Sequence, residues 1–269
     1  MKALVSVIIP AYNSEATIEV CLKSIKEQTY SNIEIIVVDK YSTDMTKKIA
    51  GMYGAKAYTM GPERAAQVNL GMRKAKGRYL YRVDSDFFVE PEVVEEAVKR
   101  CEDGYDAVCV HNASDPTISF WSKVRNLERE CYVGDELIVA ARFFRREVFE
   151  SLNGFDETLI GGEDYDFHNR ILEKGYKVGR VRSKEVHLRE PSSLLDIIKK
   201  HYYYGKTIER FIAKNPKKGW KQIQPVRVAY FRNWKKFVQQ PTLTMGFLIY
   251  QVIRYCSAAL GYLVSEVSK

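Results

Sequence analysis

Two short apolar runs, residues 4–9 and 33–38, are continuous and rich in β-branched side chains. That is the pattern of strands covered on both faces within a parallel sheet. Between them Ile18, Leu22 and Ile25 recur at helical spacing behind Asn13 and Ser14, which suit a helix start. The pattern predicts a βαβ unit, and it repeats. A helix over 43–53, a strand over 56–59, a helix over 63–76 and a strand over 79–83 follow. Pro91 suits the first turn of a helix reaching Cys101, and 106–110 reads as a strand. Residues 112–135 lose any period and read as an irregular, partly helical connection. Then come a strand over 138–144, a helix over 146–152, a helix over 163–174 ended by Gly175, and short strands over 176–181 and 185–188. After Pro191 only helices are predicted: 192–213, 226–239 and 243–264. The expectation is an α/β domain over residues 1–190, with a mostly parallel central sheet, and a helical region over 191–269.

Charge sharpens that division. The 269 residues carry a net +8, but from Glu190 onward there are 14 basic and 4 acidic residues, a net +10, against 28 basic and 30 acidic before it. Such asymmetry points to a polyanionic partner. The basic positions interleave with Tyr202, Tyr203, Tyr204, Trp220, Trp234 and Phe237, a membrane-interface composition, and no nucleic-acid motif accompanies them. The last predicted helix is long enough for a bilayer. Gln251 and Arg254 lie on one narrow polar stripe of it, leaving a wide apolar face. A central Arg costs about 2.5–3.5 kcal/mol on insertion scales, which disfavours a lone span. The helix is left to lie in an interface, to pack on the protein, or to pair with its copy in a homodimer. No signal peptide is read at the N-terminus, because the first apolar run stops at Pro10. The cysteines Cys21, Cys101, Cys109, Cys131 and Cys256 are odd in number and form no C-x-x-C pair, so they are expected as reduced, buried thiols of a cytoplasmic protein.

Candidate chemistry lies at predicted strand ends, where open α/β sheets bind ligands. Neither a G-x-G-x-x-G nor a G-x-x-x-x-G-K-[ST] motif is present, which weakens dinucleotide and P-loop readings. Asp39 reads two ways, as an acceptor for a nucleobase N–H or as part of a plain turn capped by Ser42 or Thr43. Asp84-Ser85-Asp86 closes an apolar run, and Gly161-Gly162-Glu163-Asp164 opens an amphipathic one. Paired carboxylates at a strand end suit a hard divalent ion, and a separate pair suits a base. His111 and His168 are taken as structural.

The ordered set Pro10–Asn13 with Glu15, Asp39 with Ser42-Thr43-Asp44, Arg64 with Asn69 and Gly71, Asp84-Ser85-Asp86 and Gly161-Gly162-Glu163-Asp164 resembles glycosyltransferase family 2, the inverting nucleotide-sugar enzymes of the GT-A fold. The resemblance implies a GT-A catalytic domain followed by a helical C-terminal extension. It implies that Pro10, Ala11, Tyr12 and Glu15 line base and ribose and that Asp39 bonds the base. Arg64 would brace the nucleotide or Asp84, with Ser85 on the donor side. Asp84 and Asp86 would serve a Mg²⁺ or Mn²⁺ ion, with His187 as a further ligand. Asp164 would be the general base and Glu163 would orient the acceptor. The implied partners are a nucleotide-diphosphate sugar and a glycan or lipid-linked hydroxyl acceptor at the cytoplasmic face of a membrane. A polyprenyl-phosphate acceptor and a non-catalytic membrane or RNA adaptor are the competing readings. Lys40 and Tyr41 stand where the family often has Asp or Asn and then Gly, which leaves the base preference open.

Overall fold

A computed structural model of the chain describes residues 2–267. Strands β1 (Val5–Ala11), β2 (Ile33–Asp39), β3 (Lys56–Thr59) and β4 (Tyr79–Arg82) pair in parallel, β1 lying between β2 and β4. Strands β5 (Phe87–Val89), β6 (Ala107–Ser114), β7 (Ala141–Arg145) and β8 (Val178–His187) extend the sheet to the order β3-β2-β1-β4-β7-β6-β8-β5. β7 runs antiparallel to both β4 and β6. The parallel half is wound by α1 (Ile18–Lys26), α2 (Thr46–Met52) and α3 (Arg64–Lys74). α1 buries Ile18, Cys21, Leu22 and Ile25 in the same core as Val5, Val7 and Ile9. α3 approaches the sheet at Gly71, where a Cβ would come within 2.5 Å of Ile8 Cγ2. α4 (Val93–Glu102), α6 (Arg146–Ser151) and α7 (Glu163–Glu173) complete this part.

Two compact units divide the chain. The first holds the residues up to His111 with Ala140–Thr158 and Glu163–Val186. The second holds Asn112–Val139, Leu159–Gly162 and the chain from His187 on. No single cut near residue 190 separates them, since two earlier segments belong with the tail.

The second unit is helical: α5 (Phe120–Glu130), α8 (Leu194–Gly205), α9 (Ile208–Lys214), α10 (Gly219–Ile223), α11 (Val228–Arg232), α12 (Trp234–Val238) and α13 (Pro241–Val267). Its apolar core is small, with Val124, Ile197, Phe247 and Tyr250 at the centre. A buried ion cluster does the rest. Glu128 on α5 accepts Arg254 of α13 on both oxygens, at 2.9 and 2.8 Å, and also pairs with Arg125. Tyr132 and Tyr230 both donate to its Oε1. Glu190 is bound by Arg129 at 2.8 Å and by the Ser114 hydroxyl.

Several predicted elements change. Where two short strands were expected over 176–181 and 185–188 there is one, β8 (Val178–His187). Its best-buried positions include Ser183 and Glu185, so the inward face carries no apolar period to read. β5 was too short to predict. The region read as irregular contains α5, started by a reciprocal Ser119–Ser122 cap. The first tail helix breaks between Gly205 and Ile208, and the second divides around Asn233. Of the five cysteines four are buried, but Cys256 is exposed on α13.

Candidate active site

The first unit gathers its charged side chains where β4 ends. Arg82, the last residue of β4, is 1% exposed. It reaches Glu163 at 3.0 Å and Asp84 at 3.5 Å. Arg142 enters from the neighbouring strand β7, 3.0 Å from Asp84 and 3.2 Å from Glu185. Arg64, opening α3, bonds Glu163 at 2.7 Å and lies 3.8 Å from Asp84. Glu185 on β8 also accepts the Tyr81 hydroxyl at 2.6 Å. Antiparallel pairing of β4 with β7 is what carries Arg142 to Asp84. Neither arginine of the strands was predicted as a site residue, nor was Glu185. The available signal was a charged residue inside an apolar strand run, in Tyr81-Arg82-Val83 and in Ala141-Arg142-Phe143.

Three guanidinium groups here face four carboxylates, and the carboxylates respond unequally. Burial disfavours the charge on Asp84, but Arg142, then Arg82 and Arg64, outweigh it and hold the carboxyl well below the usual range. Glu163 is likewise lowered against its burial, by Arg64 and then Arg82. Asp164 goes the other way. Burial and then the adjacent Glu163 charge raise it, and the more distant arginines do not compensate. Glu185 is also raised, by burial above all. Asp164 is half-buried at the start of α7, and its Oδ1 accepts the Tyr165 N–H. Glu163 is 1% exposed and takes two guanidinium groups on Oε1. It thereby ties Arg64 and Arg82 together through one oxygen.

A second cradle forms at the ends of β1 and β2. Asp39 is fully buried. Its Oδ2 accepts the Ser42 N–H at 2.9 Å, and its Oδ1 has no partner. The loops after the two strands are zipped together, Asn13 N–H to Ser42 Oγ at 2.8 Å and Thr43 N–H to Asn13 Oδ1 at 3.0 Å. Ser14 joins this cradle to the acidic turn through Ser85 Oγ, 2.8 Å away. Pro10 and Ala11 lie within β1 and are buried, so of that run it is Tyr12 that is open, 55% exposed with Lys40 Nζ 5.4 Å from its ring centre. Glu15 is exposed and accepts the Met45 N–H.

The expected metal ligands are placed unequally. Asp84 and Asp86 flank Ser85 in the turn between β4 and β5, Asp86 half-buried. His187 belongs to the second unit, where its Nδ1 accepts the Arg189 N–H. Among the described residues no group of three or more His, Cys, Asp or Glu is arranged to hold a metal ion. His168 is buried and accepts the Ala141 N–H, in keeping with a structural part.

Comparison with known proteins bears on this geometry. Residues 6–153 match the model of glycosyl transferase family 2, and residues 131–191 match that of the N-terminal domain of galactosyltransferase. The chain is 26% identical over 226 residues to the chondroitin synthase of Escherichia coli, covering 74% of this chain and 32% of that protein. It is 23% identical over 235 residues to an uncharacterized glycosyltransferase of Haemophilus influenzae, covering 77% and 79%. The chain thus spans about a third of the length of the chondroitin synthase. Among solved structures, a mannosyltransferase from Pyrobaculum calidifontis in complex with GDP-Man and Mn²⁺ superposes with a TM-score of 0.69 at 19% identity, covering 98% of this chain and 88% of that one. The glucosyl-3-phosphoglycerate synthase of Mycobacterium tuberculosis, in complex with Mn²⁺, UDP and glucosyl-3-phosphoglycerate, gives 0.57 at 19% identity, covering 79% and 80%. These likenesses establish the GT-A fold.

Proposed function

The chain belongs to glycosyl transferase family 2, and on that premise we propose that it moves a sugar, with inversion, from a nucleotide-diphosphate donor to a hydroxyl acceptor. The observation that carries this reading is the split within one carboxylate cluster: Asp84 is held as an anion while Asp164 is pushed up. Titratable neighbours driven apart in this way mark an acid–base assignment. Asp164 takes the acceptor proton as the hydroxyl attacks the anomeric carbon, and a single displacement inverts that centre. Glu163, pinned between Arg64 and Arg82, keeps negative charge beside Asp164 and so sustains its basicity.

Asp39 supports the donor side. A buried carboxylate oxygen with no partner is costly, and an N–H of a nucleobase would satisfy Oδ1. The acidic turn fits a divalent cation. Its donors are hard oxygens, and with only Asp84 and Asp86 at hand the ion would draw its remaining ligands from phosphates and water, as Mg²⁺ usually does. Asp86 would be the direct ligand, because Asp84 is already engaged by three arginines. Mg²⁺ or Mn²⁺ bound there would offset the charge that builds on the departing diphosphate. The complexes of the relatives with Mn²⁺ and nucleotide favour this choice.

For the acceptor we favour a glycan or lipid-linked saccharide, since relatives are named as chondroitin and hyaluronan synthases. A carboxylate base also suits a hydroxyl better than an anionic polyprenyl phosphate. The setting we propose is peripheral, on the cytoplasmic face of a membrane, supported by the basic and aromatic composition after Arg189. The test is a screen of nucleotide sugars for thermal stabilisation with and without Mg²⁺ or Mn²⁺, followed by transfer assays and determination of the product anomer. Stabilisation that needs the cation and is lost in Asp86→Ala is expected. A retained anomeric configuration, or full transfer in excess chelator, overturns the reading.

A further inference from the structure

Helix α13 is turned inside out. The residues it buries include Gln251, Arg254 and Ser257, together with Gly246, Phe247 and Tyr250. Outward it presents Leu248, Ile249, Val252, Leu260, Leu263 and Val264, each between 42% and 64% exposed. Its one basic residue, Arg254, points inward onto Glu128. In water the apolar face of a helix turns to the core and the polar stripe to solvent. The opposite orientation belongs to a helix whose outer neighbour is hydrocarbon, where ionisable side chains face protein and pair.

The contact of α13 with α8 has the same character. A Cβ at Gly205 would stand 2.1 Å from the Ala258 carbonyl oxygen, and one at Gly261 would stand 2.1 Å from that of Tyr202. Backbone meets backbone, a crossing built on small residues, which holds helices together without hydrophobic drive between them. Charge supplies a third observation. The chain from Glu190 on carries a net +10, and Trp220, Phe231 and Trp234 stand 60%, 67% and 56% exposed in the same unit. Basic and aromatic side chains together suit anionic headgroups.

We propose that the outward face of α13 is the lipid-contacting surface of the second unit and lies in the plane of an anionic leaflet. This rests on the membrane setting proposed above and names the surface that makes it. The helix lies flat because hydrocarbon can reach it from one side only. Its inner side packs on α8 and α5, and those helices expose Lys199 and Lys123. The occupant is phospholipid and not a second copy, because two copies of the stretch from Glu190 on, each net +10, repel while an anionic surface attracts each of them.

Cys256 offers a direct probe. It is the exposed cysteine, one turn from both Val252 and Leu260, while the other four are buried. The full chain, nitroxide-labelled there, is mixed with phosphatidylcholine vesicles with or without phosphatidylglycerol and floated. We expect flotation with the anionic vesicles, weakened but not abolished by high salt. On binding, the label gains collisions with oxygen and loses them with a polar nickel chelate. The pair Leu260→Glu and Leu263→Glu should cut partitioning about tenfold or more, and Met52→Glu, 74% exposed in the first unit, should leave it unchanged. Absence of flotation, or a label that stays in water on bound protein, overturns the proposal. So does a dimer that the Glu pair dissociates without any vesicle binding. Should the pair misfold, the label on the unsubstituted helix decides alone. Transfer to a soluble acceptor is measured on the same samples. Transfer without flotation removes the surface and leaves the transferase reading; flotation without transfer does the reverse.

Discussion

Each unit buries a cluster of arginines and carboxylates, and the two clusters behave in opposite ways. In the second unit Arg125, Arg129, Arg227 and Arg254 surround Glu128 and Glu190. Cations outnumber anions there, and both carboxyls are held well below their ordinary range against the cost of burial, by Arg125 and Arg254 in one case and by Arg129 and Arg125 in the other. In the first unit Arg64, Arg82 and Arg142 meet Asp84, Glu163, Asp164 and Glu185. The anions are in excess, so compensation reaches some and not others. The same burial physics depresses every carboxyl where arginines are in excess and leaves Asp164 and Glu185 raised where they are not.

The sharpest way to break that contrast is to remove the unmatched carboxylate. Asp164→Asn keeps shape and hydrogen bonding but not basicity, and transfer is expected to fall about 10²–10⁴-fold with donor binding retained, as single-turnover assays and calorimetry would report. Unchanged transfer would move the base elsewhere. Removing a matched carboxylate should act on stability instead. Glu128→Ala strands Arg125 and Arg254 in the interior, and denaturant unfolding should show a loss of about 3–5 kcal/mol. A loss below 1 kcal/mol would mean that water already reaches the cluster.

Asp39→Asn tests the proposed nucleotide contact outside both clusters. Losing a charged acceptor should weaken nucleotide binding about ten- to hundredfold and leave the melting temperature nearly unchanged. The mildest test is acid. Asp164 is raised, first by burial and then by Glu163, so transfer should decline as the pH falls through a value above the ordinary 3.8. Asp84, Glu128 and Glu190 are depressed by their arginines. The stability they contribute is present above the ordinary 3.8 and 4.5 and is lost only as the pH falls below them. Acidification should therefore remove transfer before it removes the fold, which parallel rate and circular-dichroism titrations would follow. Simultaneous loss would erase the distinction between the clusters.

Much of this was legible in one dimension, and the rest was not for identifiable reasons. The runs at 4–9 and 33–38 announce β1 and β2, because strands buried on both faces must be apolar throughout. Asp84 is noticeable as a carboxylate that closes an apolar run, whereas Asp39 reads equally as part of a capped turn and, like Asp164, draws notice only through the order of the segments. β8 was obscured by Ser183 and Glu185 on its inward side, where the arginine on β7 and the Tyr81 hydroxyl make a carboxylate tolerable. Arg82 and Arg142 meet at Asp84 through antiparallel pairing of strands about sixty residues apart in sequence, and Glu185 reaches Arg142 from a third strand, β8, which no local spacing encodes. For α13 the sequence determined a wide apolar face and a narrow polar stripe. Which of the two looks outward was decided by tertiary structure alone. A bidentate ion pair between Arg254 and Glu128, 126 residues apart, draws the polar stripe inward, and burial of that charge is tolerable only with its partner already in place.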